Sequence, residues 1–250
     1  MVSSGWRNVV LSFLKAKFHW VVLLPMILFP ILNSSMAGRY WQLNSGLLIP
    51  VQKNRISSRF ELLTPALSGD LDGDNQPECL VSETEALHIT NCDGQILWQS
   101  PDEWRVSEAL ITDLNHDGIN EAVLLVWRPF RPWPVDEILP FGGRIESHQN
   151  REGQSCQLIL IGWQRDDYRE IWAGSALANP ISNIMAADLD GDGLVELAAL
   201  EYDYDAKQKG GQLTIWRWIG FGFSLLDRSE SRWERLTIMG DGVHYWLFTR

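Results

Sequence analysis

Acidic residues are missing from the start of the chain: no Asp or Glu precedes Glu61, whereas seven Lys and Arg do. Residues 1–60 therefore carry +7 and residues 61–250 carry −18, within a formal net charge of −11. A body this acidic excludes nucleic-acid binding through phosphate contacts. Long apolar runs are lacking too. The longest uncharged one, Trp20 to Leu32, has 13 residues, short of the ~20 that a straight transmembrane helix needs, and Pro25 and Pro30 interrupt it. With Arg7, Lys15 and Lys17 ahead of it and Ser35-Met36-Ala37 behind, residues 1–37 read as a cleaved signal peptide or as a retained membrane anchor over residues 8–32. Either reading puts residues 38–250 outside the cytoplasm, secreted or periplasmic, and confines membrane contact to this segment.

Catalytic signatures are absent as well. The histidines (His19, His88, His116, His148, His244) fit no metal-hydrolase spacing, Gly-x-Ser-x-Gly does not occur, and no phosphate-binding glycine loop precedes a helix. The sequence therefore reads as non-catalytic. Cysteine is scarce. Cys79 and Cys92 lie at the ends of a predicted hairpin that turns near Glu85, close enough for a disulfide, which leaves Cys156 single and buried. No long amphipathic helix is apparent after residue 38, so the chain is expected to be all-β.

What is present is an acidic loop written three times. Asp70-Leu-Asp72-Gly-Asp74-Asn75-Gln76-Pro-Glu78, Asp113-Leu-Asn115-His-Asp117-Gly118-Ile119-Asn-Glu121 and Asp188-Leu-Asp190-Gly-Asp192-Gly193-Leu194-Val-Glu196 each place a side-chain oxygen at positions 1, 3, 5 and 9. Like charges so close repel by roughly 1 kcal/mol per pair even in water. Hard oxygen ligands at this spacing suit Ca²⁺, with the backbone carbonyl at position 7 (Gln76, Ile119, Leu194) as a neutral ligand. Position 6, at the sharp turn, is glycine in two loops and Asn75 in the other, a residue that visits left-handed conformations readily. An EF-hand would need a bidentate Glu at position 12, where this chain has Val81, Leu124 and Ala199.

Closure at position 9, with strands on both sides of each loop, makes residues from about 60 to 240 resemble the FG-GAP/VCBS repeat family. Its best-known members include the calcium-binding blades of integrin α-subunit propellers. The chain looks like a divergent member without the Phe-Gly and Gly-Ala-Pro signatures. The resemblance implies a β-propeller in which each loop joins neighbouring strands of a blade and binds calcium, giving three sites here.

Loop starts are 43 and 75 residues apart. A four-stranded blade takes about 40 to 50 residues, so the longer interval holds a blade plus an insertion from Arg128 to Gln154. Asp241-Gly242 reads as a worn fourth loop without metal. About four blades are expected, the fourth assembled from both ends: Val243 to Phe248 as its inner strand, with strands near Arg39–Leu43, Gly46–Ile49 and Phe60–Leu63. Pairing the ends removes exposed sheet edges. The 13 tryptophans either fill space between blades or offer a sugar-stacking surface. The insertion carries Phe130, Arg131, Trp133 and Phe141 among prolines, residue types enriched at interface centres, and is read as a protein-binding element or as a lid over one end of the propeller. The functional expectation is a calcium-stabilised interaction module, such as a subunit of an envelope complex. A carbohydrate-binding or polysaccharide-processing propeller is the alternative.

Overall fold

The computed structural model describes residues 38–56, 59–84, 86–131, 148–205 and 210–250. Residues 1–37, read above as signal or anchor, lie outside that set, as do Trp133 and Phe141. The described residues form a four-bladed β-propeller, with one 3-10 turn (Lys53–Arg55) as their only helical segment. In chain order the strands are β1 (Arg39–Asn44), β2 (Leu47–Val51), β3 (Glu61–Leu63), β4 (Ser68–Gly69), β5 (Glu78–Glu83), β6 (Ala86–Thr90), β7 (Ile96–Gln99), β8 (Arg105–Thr112) and β9 (Glu121–Pro129). They continue with β10 (Gln154–Trp163), β11 (Tyr168–Ala173), β12 (Ile181–Ala187), β13 (Glu196–Glu201), β14 (Gly211–Trp218), β15 (Phe223–Trp233), β16 (Leu236–Gly240) and β17 (Tyr245–Thr249). Blade one is β4 to β7, blade two β8 to β11 and blade three β12 to β15, all antiparallel and in sequence order.

In blades two and three the second strand has neighbouring strands on both edges and neighbouring blades over both faces, so it is buried along its length instead of alternating. In β13 all six residues are buried, and β9 is buried from Glu121 through Trp127. The core consequently lies between blades. Leu80 and Ile89 of blade one pack in one cluster with Leu124 and Ile159 of blade two. Leu125 and Leu158 of blade two join Ile184 and Leu197 of blade three, and Leu200 and Leu213 of blade three join Trp41 and Leu247 of blade four. Tryptophans add to these seams. Trp172 of blade two meets Trp218 and Phe223 of blade three edge to face, and Trp41 of blade four meets Trp233 of blade three likewise.

Blade four is built from both ends of the chain, in the strand order β2-β1-β17-β16-β3. Arg39 pairs with Thr249 and Trp41 with Leu247, while β16 pairs β17 from Leu236↔Thr249 to Gly240↔Tyr245. The Trp41 indole N–H donates to Thr249 Oγ1 at 2.9 Å. The strand expected to be innermost, β17, is instead the middle of five, because β16 and β3 lie beyond it. Polar ties cross the blade boundaries. Glu108 on β8 accepts from the Asn183 amide and the Ile184 N–H of β12, both at 3.1 Å, and Asn183 Oδ1 accepts from Leu236 N–H of β16 at 3.1 Å.

Two boundaries differ from the sequence reading. The excursion between β9 and β10 is shorter than Arg128 to Gln154: Gln154 pairs with Pro129, Ser155 with Arg128, and Phe130 N–H donates to Gly153 O at 2.9 Å. Arg128 is held there by the Trp104 ring, 5.4 Å away, and by Glu170 at 3.7 Å, while exposed Arg131 pairs with Glu103 at 3.1 Å. Cys79 and Cys92 do form a disulfide, yet they are not opposite each other in the ladder. Thr90 is the partner of Cys79, and Cys92 reaches it from beyond the end of β6 in a left-handed conformation (φ 61°). Cys156 is free and buried, and that burial pushes its thiol up to about 12.

Candidate metal centre

Each acidic loop connects the first and second strands of its blade, β4–β5, β8–β9 and β12–β13. The repeated grammar folds the same way three times. Positions 4 and 6 are left-handed in every loop: Gly73 (φ 83°) and Asn75 (φ 67°), His116 (φ 63°) and Gly118 (φ 91°), Gly191 (φ 81°) and Gly193 (φ 86°). These reversals turn backbone N–H groups inward onto the carboxylate at position 1. Asp70 accepts from Gly73 at 2.7 Å and Asn75 at 2.9 Å, Asp113 from Asp117 at 3.1 Å and Gly118 at 2.9 Å, and Asp188 from Gly191 at 2.8 Å and Gly193 at 2.9 Å. The leucine at position 2 (Leu71, Leu114, Leu189) is buried and anchors the loop in the core. Its N–H donates to Oε2 of the glutamate at position 9, at 2.7 Å for Glu78, 3.0 Å for Glu121 and 2.9 Å for Glu196.

Three carboxylates converge in each loop: Asp70, Asp72 and Glu78; Asp113, Asp117 and Glu121; Asp188, Asp190 and Glu196. One oxygen from each lies within 4.8 Å of the others. Ca²⁺ takes its oxygens at 2.3–2.6 Å, so ligands on opposite sides of one ion sit about 5 Å apart, and each cluster is the right size to hold a metal ion. The three glutamates are buried, with Glu78 4% exposed, Glu121 1% and Glu196 0%. Burial pushes Glu78, Glu121 and Glu196 above the usual carboxylate range; the position-2 N–H opposes the rise at Glu78 and Glu121, and at Glu196 the Arg217 hydrogen bond opposes it most. Glu121 is carried to about 8, with Asp117 and Asp113 adding to the effect. A bound cation would relieve that cost.

The carboxylate at position 5 turns back onto its own loop. Asp74 accepts from the Gln76 N–H at 2.6 Å, as Asp117 does from Ile119 at 3.0 Å and Asp192 from Leu194 at 2.9 Å. In the second loop the Asn115 oxygen accepts from Asp117 N–H at 2.9 Å, and its amide nitrogen donates to Asp117 Oδ2 at 3.1 Å. Asn115 therefore ties down the carboxylate that converges with Asp113 and Glu121.

Several contacts escaped sequence reasoning. The loops are strung together: the Asn120 amide donates to Asp70 O at 3.1 Å, and His116 Nε2 lies 2.9 Å from Val195 O. His116, which a surface reading would leave in solvent, thus bridges loops two and three. Tyr168 of β11 is buried against loop one. Burial, with Glu78 and Asp72 next in weight, pushes its hydroxyl well above the ordinary tyrosine range. In loop three, Arg217 of β14 sits among the ligands, 2.8 Å from Asp190 Oδ2 and 3.1 Å from Asp192 Oδ2, with Nε 2.9 Å from Glu196 Oε1. The leucine at position 2 (Leu71, Leu114, Leu189) is a repeated letter alongside the acidic positions 1, 5 and 9.

Fold and loops together define a four-bladed β-propeller whose first three blades each carry a carboxylate cluster able to hold a metal ion. No family model matches the chain, and neither does any curated protein.

Proposed function

We propose that the chain is a non-catalytic, calcium-binding interaction module that works outside the cytoplasm, such as a subunit of an envelope complex. The observation that carries this reading is the same convergence of three carboxylates at equivalent places in three blades. All-oxygen sites of this size suit a hard cation, and calcium is abundant where the N-terminal segment would deliver the protein. In loops one and two the ion would be held by Asp70, Asp72 and Glu78, and by Asp113, Asp117 and Glu121. Asp74, Asn115 and the backbone carbonyls of Gln76 and Ile119 would complete the shells. Its chemistry is neutralisation of buried charge. The likeness to FG-GAP/VCBS repeats supports the same role, and Phe130 and Arg131, at the foot of the excursion between β9 and β10, mark where a protein partner would dock.

With affinities of ~10⁻⁴ M and calcium at ~1 mM, each filled loop would add about 1.4 kcal/mol. Melting the full chain with calcium and with EGTA tests this reading. A transition that EGTA leaves unmoved refutes it.

One observation favours a carbohydrate-binding reading as the second choice. Trp172, Trp216 and Phe223 line a cavity of about 480 Å³ that also presents Glu201 and Arg228, a mixture of flat apolar faces and hydrogen-bonding groups that suits a sugar ring. Glycan binding that survives EGTA would favour this reading.

A further inference from the structure

Loop three has the full carboxylate pattern, yet its own blade supplies a cation to it. The side chain of Arg217 is about three-quarters buried, and its guanidinium reaches Asp190, Asp192 and Glu196 together. Nη2 lies 2.8 Å from Asp190 Oδ2 and 3.1 Å from Asp192 Oδ2, and both Nε and Nη2 donate to Glu196 Oε1. The fourth carboxylate, Asp188, is occupied by the N–H groups of Gly191, Asp192 and Gly193. Every carboxylate oxygen of the loop is thus engaged, except the buried Asp190 Oδ1, which has no partner.

The strand register shows why this happens in one blade alone. In blade three Leu197 is opposite Trp216, so the next step along the ladder sets Glu196 against Arg217. Blade two has Ala122 opposite Ile161, which sets Glu121 against Gly162. Blade one has Cys79 opposite Thr90, which sets Glu78 against Asn91. Gly162 has no side chain to offer, and an added Cβ would meet Ile171 Cδ1 at 2.8 Å. At the same step of three equivalent ladders, then, two residues leave the cluster open and the third fills it with a guanidinium.

We propose that Arg217 is the resident cation of loop three, a tethered substitute for the divalent ion that loops one and two take. The proposal rests on the metal reading of loops one and two. A guanidinium suits the role because its planar fork donates to several carboxylate oxygens at once and it stays charged at any physiological pH. An ion entering loop three would have to break these charge-assisted bonds first, and each such bond weakens its apparent affinity about tenfold or more. Calcium then fills two loops and leaves the third to the arginine, so one blade stays fastened when calcium is withdrawn.

Counting bound calcium by equilibrium dialysis of the full chain tests this, at a calcium level that saturates the tightest sites. The wild type should hold two ions, Arg217→Gln three, Asp70→Asn one, and Asp188→Asn two as in the wild type. The last two variants leave Arg217 in place, so the test survives if Arg217→Gln does not fold. Three ions on the wild type, falling to two in Asp188→Asn, would overturn the proposal and uphold the metal reading. Two ions on a folded Arg217→Gln would also overturn it. No ion on the wild type would sink the metal reading itself, and with it the substitution.

Discussion

Glu121 offers the sharpest test of how the buried carboxylates behave without metal. Its side chain is 1% exposed, and burial carries it to about 8 from an ordinary value of 4.5. A carboxyl raised in the folded state keeps its proton there while the unfolded chain has already released it. Its contribution is fully present below pH 4.5 and is lost as the pH rises through 8. Integrating between those two values, the chelated protein should lose about 3–4 kcal/mol from this group between pH 5 and pH 8. For a domain of this size that corresponds to roughly 7–14 °C in melting temperature. Glu121→Gln keeps the shape and the Leu114 N–H bond but cannot titrate, so in EGTA its pH profile should be flatter than the wild type's by this amount. Adding calcium should reverse the wild-type trend, because an ion stabilises the deprotonated form and its affinity rises with pH. Thermal melts of both proteins in EGTA from pH 5 to 8.5 give the comparison. Parallel profiles would refute the assignment.

Closure of the ring can be probed at Leu247, 1% exposed between β1 and β16. Leu247→Ala should cost about 2–5 kcal/mol, measured by urea unfolding followed through tryptophan fluorescence, whereas exposed Leu62→Ala on β3 should change stability by less than about 0.5 kcal/mol. The disulfide between Cys79 and Cys92 closes a short loop, so reducing it should remove about 3 kcal/mol. Thiol counting on denatured, unreduced protein should find the single thiol of Cys156.

Much of this architecture was legible because its signals are local. Alternating carboxylates with a left-handed residue at position 6 marked the loops, and the apolar runs after Glu121 and Glu196 marked the central strands. The end strands were recognisable as candidates for a shared blade because three loops left a fourth sheet to be made. What was hidden depends on register between strands. Nothing near Arg217 in sequence announces that it faces Glu196; that follows only once Leu197 is known to pair with Trp216. The disulfide was found for a partly mistaken reason, since Cys92 reaches Cys79 through a backbone reversal beyond β6, not across the ladder. Arg128 looked like part of a loose insertion because a proline-rich stretch follows it, yet pairing with β10 holds it in the sheet.

The shared fourth blade also fixes an order of events during synthesis. Trp41 and Thr249 are 208 residues apart and hydrogen-bonded in the same sheet, so β1 and β2 emerge first and wait almost the whole length of the domain for their neighbour. Until β17 arrives, blades one to three can pack on one another only as an open arc with strand edges bare at both ends. Of the described strands, β17 is the last in chain order, and it is the one that shuts the ring. The arc is therefore the form that chaperones and proteases meet first, and closure is the step that removes it from their reach.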